Sequence, residues 1–302
     1  MNSSDPFDRV ALGTTDLRVS RLAWGMWRFK GDNLAQARSL VDAAVDAGIN
    51  LFDTADIYGF NGRDGFGAAE VLLGRLFAAD SGLRRKLVLA SKGGIVPGVP
   101  YDSSADYLVA ACEASLHRLG TDYLDLFQVH RPDVLTHPAE VARALERLVA
   151  SGKARTVGVS NHTPAQTAAL VAHLQIPLAS IQPEFSPLMI APLADGTLDL
   201  AMQHRITVLA WSPLAAGRLG APGDDERAQR VCAELDAQAL RCGVSRTAAT
   251  FAWIMAHPAG IVPIVGSQQA SRIREAADAC KVSWTRAEWY RVLVAARGAA
   301  LP

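Results

Sequence analysis

Eight times in 302 residues, a short apolar run gives way to a few polar residues and then to a helical pattern. The runs cover residues 20–25, 49–52, 86–91, 124–129, 155–160, 179–185, 206–211 and 261–266. They are short and nearly uncharged, as strands buried on both faces must be. Several helical stretches carry their own punctuation. Residues 33–48 stop at Gly48, and 103–120 open on Ser103 and Ser104 and stop at Gly120. Residues 163–174 open on Thr163 with Pro164 behind it, and 245–257 open on Ser245.

Eight strand–helix units in one chain of this length predict an α/β fold, a (β/α)8 TIM barrel spanning 1–302 as a single domain. Three pieces fall outside the alternation. Residues 10–20 read as an N-terminal β-hairpin turning at 13–16, placed to plug the bottom of the barrel. Residues 225–242 and 285–298 read as extra helices, the second at the C-terminal end. A doubly wound nucleotide-binding fold would need G-x-G-x-x-G directly after a strand, and the glycine cluster at 59–67 lacks that spacing.

Lys plus Arg and Asp plus Glu both number 30, which leaves no basic excess for nucleic acid and no acidic tail. No segment has the length of uncharged apolar sequence that a membrane span needs, and the first residues lack a leader pattern. The four cysteines form no C-x-x-C pair and read as free thiols in a reducing cytoplasm. No histidine–carboxylate spacing suggests a metal. A monomer working on a small molecule is the expectation.

In such a barrel the loops after the strands share one face, so polar residues just past each run converge in space. The stretch "FDTADIYG" at 52–59 is the sharpest case, with Asp53, Asp56 and Tyr58 directly after a core strand. Lys92 follows the third run, His130 the fourth, and Ser160 with Asn161 the fifth; Gln182 lies on the sixth, and Trp211 ends the seventh. Gly266, Ser267 and Arg272 follow the eighth. A phenol titrates near pH 10, and an ammonium beside it lowers that value toward working range. Lys92 can supply the ammonium, Asp53 can hold it, and His130 can bond a substrate oxygen. The set suits proton transfer at a carbonyl or alcohol oxygen; it has no nucleophile–base pair for covalent hydrolysis. Asn161 and Gln182 suit a carboxamide and Trp211 a flat ring, while Arg272 at a helix start suits a phosphate. Asp56 reads as a loop-stabilising residue.

These residues sit in "FDTADIYG", "SKGG", "FQVHRPD", "VGVSNH", "WSPLAAGRL" and "PIVGSQQASRIREA", and in that order the chain resembles the aldo-keto reductase superfamily, in particular its bacterial general-oxidoreductase branch. The resemblance implies NADPH-dependent reduction of aldehydes or ketones. It gives Tyr58 the role of general acid, tuned by Lys92 and Asp53, with His130 orienting the carbonyl. It gives Ser160, Asn161, Gln182, Trp211, Ser212, Leu214, Gly266, Ser267 and Arg272 to the cofactor, and Trp27 to the substrate pocket. Members best known for NADPH binding carry Lys where this chain has Gly266 and Asn where it has Ala276, so NADH is the second cofactor to consider. The alternative from another class is a non-catalytic NADPH-binding regulatory protein of the same fold. Taken singly, each residue also has a plain structural reading, such as a half-buried tyrosine or a turn-anchoring histidine; convergence at four separate strand ends favours the site.

Overall fold

Strand pairing turns the alternation into closure. The computed structural model describes residues 8–302. The leader expectation rests largely on residues 1–7, which lie outside the described residues. Two strands, β1 (Arg9–Ala11) and β2 (Arg18–Ser20), form an antiparallel hairpin. Eight parallel strands follow: β3 (Ala23–Gly25), β4 (Leu51–Asp53), β5 (Val88–Gly93), β6 (Leu124–Val129), β7 (Ala154–Ser160), β8 (Leu178–Gln182), β9 (Thr207–Ala210) and β10 (Val262–Val265). They pair in sequence order, and β10 closes on β3. Closure leaves the barrel without a free sheet edge.

Helices line the outside: α1 (Leu34–Asp46), α2 (Ala68–Ala79), α3 (Ala105–Leu119), α4 (Pro138–Ala150), α5 (Pro164–Val171), α6 (Thr197–His204), α7 (Glu226–Cys242), α8 (Arg246–Met255), α9 (Ala270–Ala276) and α10 (Arg286–Arg297). Asn33, Ser104, Thr163 and Ser245 each accept a backbone N–H at a helix start, and Thr163 with Gln166 completes a capping box. The predicted extra helices are α7 and α10, which pack on one another through Arg291–Glu234 and Arg241–Glu288 ion pairs. A second clamp joins α10 to α8. The indoles of Trp253 and Trp289 stack with centres 4.6 Å apart and 7° between planes, and each Nε1–H donates to the other's backbone carbonyl at 3.1 and 3.0 Å.

The interior splits into two halves, because alternate residues of each strand point inward. At the N-terminal end the inward layer is apolar, with Leu51, Val88, Ala90, Leu126, Leu209, Val262 and Ile264. Leu12, Leu17 and Val19 of the hairpin pack into the same cluster and seal that end, as the sequence predicts. Gly13 makes the seal possible. Its φ is +60°, its N–H donates to Thr207 Oγ1 at 2.7 Å, and a Cβ there would lie 2.8 Å from the Ala179 backbone. At the C-terminal end the same alternation brings in polar groups: Leu51 is followed by Asp53, Ala90 by Lys92, Leu126 by Gln128 and then His130. Asp53, Lys92 and Gln128 are almost wholly buried, with exposures of 2%, 0% and 0%. Among the described residues, no helix is long and apolar enough to cross a membrane, and no cluster of three or more metal-ligating side chains occurs.

Candidate active site

Lys92 anchors the site. Its Nζ donates to Asp53 Oδ2 at 2.7 Å, to the Thr54 carbonyl at 2.8 Å and to the Tyr58 hydroxyl oxygen at 3.0 Å. An ammonium has three protons, so all three are used. The Tyr58 oxygen is therefore an acceptor toward Lys92, and its own O–H stays free to donate outward. Both members of the Lys92–Asp53 pair are cut off from water. Removing either would leave an uncompensated buried charge, which costs about 3–5 kcal/mol.

The electrostatics correct one expectation. Burial pushes the Tyr58 phenol above its usual value, and this outweighs the downward pull of Lys92; Asp53 adds to the upward push. Tyr58 is thus a neutral phenol held beside a cation that favours its anion. For Lys92, burial disfavours the charge, yet Asp53 and Tyr58 raise its pKa overall, so the ammonium persists. His130 is driven well below its ordinary value, by burial first and then by Lys92 and Arg131. It is a neutral imidazole, with its ring 5.7 Å from that of Tyr58. Its Nδ1 is buried without a partner. An unprotonated Nδ1 leaves no orphaned donor, so the proton belongs on Nε2, where it can be donated.

The residues expected to cradle a cofactor fall into two groups. Asn161, with φ at +61°, donates Nδ2–H to Ser160 Oγ at 2.8 Å and to the His130 carbonyl at 3.1 Å, and its Oδ1 accepts from Trp211 Nε1 at 2.9 Å. Ser160 Oγ donates to the Gln182 carbonyl at 3.0 Å, and Gln182 Nε2 donates to Asp53 Oδ1 at 3.0 Å. The Gln182 amide is thus joined to Asp53, and the Asn161 amide to Ser160, the His130 carbonyl and Trp211, rather than standing open. What the cradle leaves available is the Gln182 Oε1 and the half-exposed Trp211 ring, which fit the carboxamide and the flat face of a nicotinamide. Ser212 and Leu214 belong to the turn after β9, where Ser212 has φ +52° and its Oγ accepts the Ala216 N–H.

The second group follows β10. Gly266 is exposed, with nothing within 4 Å of a would-be Cβ, and the Ser267 carbonyl accepts Trp24 Nε1 at 3.0 Å. Arg272 on α9 is exposed and makes no ion pair among the described residues. Trp27 is 65% exposed on the loop after β3, with the Arg28 guanidinium 5.1 Å from its ring centre.

Sequence reasoning missed three features. Gln128 on β6 bonds Asp53, although a glutamine inside an apolar run is itself a signal. Arg131 holds its guanidinium 5.9 Å from the Trp211 ring centre. The third is the state of the Asp56 side chain, which takes no part in holding the loop: it is 1% exposed and both carboxyl oxygens lack a partner. It is the backbone N–H of Asp56, donating to the Lys92 carbonyl at 3.0 Å, that fixes this loop. Glu70, fully buried nearby, accepts from Ser91 Oγ at 2.5 Å and from Arg118 Nε at 2.7 Å.

A family model described as the aldo/keto reductase family matches residues 21–293. The 6-dehydroglucose reductase of Novosphingobium aromaticivorans is 57% identical over 293 residues, 96% of each chain. The 6-dehydroglucose reductase of Agrobacterium fabrum is 38% identical, over 96% of this chain and 98% of its own. A crystal structure of a thermostable aldo-keto reductase in complex with the inhibitor epalrestat superposes with a TM-score of 0.82. That likeness covers 95% of this chain and 99% of the other at 24% identity, and so speaks to the fold.

Proposed function

The chain belongs to the aldo/keto reductase family, and on that premise we propose that it reduces aldehydes or ketones to alcohols with NADPH, ahead of NADH, as hydride source. The observation that carries this reading is the Lys92 ammonium set between Asp53 and Tyr58, with the phenolic O–H left free. A reduced nicotinamide, when bound, would supply the hydride, and the chain supplies position, a proton and charge through Tyr58, Lys92, Asp53 and His130.

The residues divide the work as follows. Tyr58 donates its proton to the carbonyl oxygen as that oxygen gains charge. Lys92, kept charged by Asp53, stabilises the phenolate that remains. His130, neutral with its proton on Nε2, donates to the same oxygen and so orients the carbonyl. Ser160, Asn161, Gln182 and Trp211 would hold the nicotinamide end. Ser212, Leu214, Gly266, Ser267 and Arg272 would hold the rest, with Arg272 facing the 2′-phosphate that distinguishes NADPH. Trp27 would border the substrate. Because a 57% identical relative is named a 6-dehydroglucose reductase, an aldehyde carried on a sugar or similar polyol is the first substrate proposed.

The test follows the loss of NADPH absorbance with a sugar aldehyde and with a simple aromatic aldehyde, with NADH in parallel. Tyr58→Phe is expected to lose about 10²–10⁴-fold in kcat, the range of general acid catalysis, while still binding cofactor as read by tryptophan quenching. Near-full turnover in Tyr58→Phe would remove the acid assignment. Tight cofactor binding with no turnover of any carbonyl by the wild type would make the protein a binding module instead.

A further inference from the structure

Gln128 stands where the barrel interior changes from apolar to polar. On β6 it faces inward between Leu126 and His130 and is fully buried. It pairs in register with Lys92 on β5 and with Gly158 on β7. Its Nε2 donates to Asp53 Oδ1 at 3.3 Å, and its Oε1 accepts from Ser180 Oγ at 3.2 Å and from Gln182 Nε2 at 3.4 Å. Gln182 Nε2 donates to the same Asp53 oxygen.

Ser180 and Gln182 are on β8, so the Gln128 amide reaches them across β7. The residue it crosses is Gly158. A Cβ there would sit 2.1 Å from Ser180 Oγ and 3.2 Å from Gln128 Cγ, so only glycine leaves room for this bridge. The missing side chain and the three polar ones thus form one device. It divides the two oxygens of Asp53: Oδ2 goes to Lys92, and Oδ1 goes to two amides.

The geometry points to Gln128 as a positioning residue that, over the gap left by Gly158, keeps Asp53 from drawing more heavily on Lys92 and so preserves the ammonium's hold on Tyr58. This rests on the reductase reading above. Without the Gln128 donor, Oδ1 loses one of its two amide bonds, and a buried anion left short of donors turns to the nearest cation. More of the Lys92 charge is then cancelled at Asp53, less reaches Tyr58, and the phenol becomes harder to ionise.

Gln128→Met retains the length of the side chain and removes its hydrogen bonds; Ser180→Ala removes only the hydroxyl that steadies the amide. For Gln128→Met, kcat is expected to fall about tenfold, equivalent to ~1.4 kcal/mol at the transition state, with KM changed by less than about twofold. The phenolate step of Tyr58, read in the ligand-free protein as the ultraviolet absorbance of wild type minus that of Tyr58→Phe, is expected to move up by about one pH unit. Ser180→Ala is expected to move it the same way by less, and it answers the question should Gln128→Met not fold. A lowered Tm with the phenolate step unmoved in both variants would make Gln128 merely structural and overturn the inference alone. A wild type without turnover, or a Tyr58→Phe as active as the wild type, would bring down the reductase reading and the inference together.

Discussion

Replacing Asp56 with asparagine is expected to stabilise the protein, and by more as the pH rises. Asp56 is buried against Glu70, and both of its oxygens lack partners. Burial first, and the charge of Glu70 second, raise its pKa from 3.8 to about 8, against the smaller pulls of Arg118, the Ile57 backbone N–H and Lys92. In the unfolded chain the carboxyl ionises near pH 4. Between that value and about 8 the folded state binds the extra proton, so stability falls through this window and is level above it. At about 1.36 kcal/mol per unit, a gap of about 4 units sets a ceiling of about 6 kcal/mol at pH 8 and above. Relaxation around the site brings the expected gain to a few kcal/mol, or about 5–10 °C in Tm for a chain of this size. Asparagine stays neutral in both states and has no such window. The assay is urea and thermal unfolding of both proteins at several pH values between about 4 and 9. The difference should be near zero at the acid end and grow until about pH 8. A difference that stayed flat with pH, or a variant less stable at alkaline pH, would refute the neutral buried acid.

Three further outcomes follow from the same geometry. Gly13→Ala should cost about 2–4 kcal/mol in urea unfolding, since the Cβ meets the Ala179 backbone at 2.8 Å and the φ of +60° disfavours any side chain; a loss under about 0.5 kcal/mol would unseat the plug argument. Because His130 is held well below its ordinary pKa, it stays neutral as pH falls through the usual histidine range, and kcat/KM should show no acid limb near pH 6–7. A limb there that vanishes in His130→Gln would show that the imidazole charges. Arg272→Ala should weaken NADPH more than NADH in equilibrium titrations, and equal weakening of the two would take the 2′-phosphate away from Arg272.

Periodicity made the architecture legible. All eight apolar runs became barrel strands, and the hairpin and both extra helices lie where the sequence places them. The edges moved for local reasons. The first run lost Ser20 to the hairpin, the third slid to Val88–Gly93 behind a 3-10 turn at Arg84–Lys86, and the sixth stopped before Pro183, which has no N–H for a ladder. The convergence of Asp53, Lys92, Tyr58 and His130 was readable because residues just past successive barrel strands share one face, although each alone has a plain structural reading. The Gln128 bridge was not readable, since it depends on register across three strands and on an empty place at Gly158. The isolation of the Asp56 side chain was not readable, because nothing in its neighbours' identities announces that the carboxyl is buried beside Glu70 without a partner. That the Asn161 amide is taken up by Ser160, the His130 carbonyl and Trp211, and the Gln182 Nε2 by Asp53, was hidden for a similar reason: residue type gives donors and acceptors, while distance decides who takes them.

The paired indoles of Trp253 and Trp289 give the molecule an optical signature of its own. Two chromophores held parallel at 4.6 Å couple their excited states, and the coupling decays steeply as they separate. The near-ultraviolet circular dichroism of this pair, taken as wild type minus Trp289→Phe, is therefore expected to report whether the last helix is seated, apart from the backbone signal in the far ultraviolet. If α10 peels away before the strands part, the exciton signal fades first, and the unfolding of this chain becomes visible in two colours.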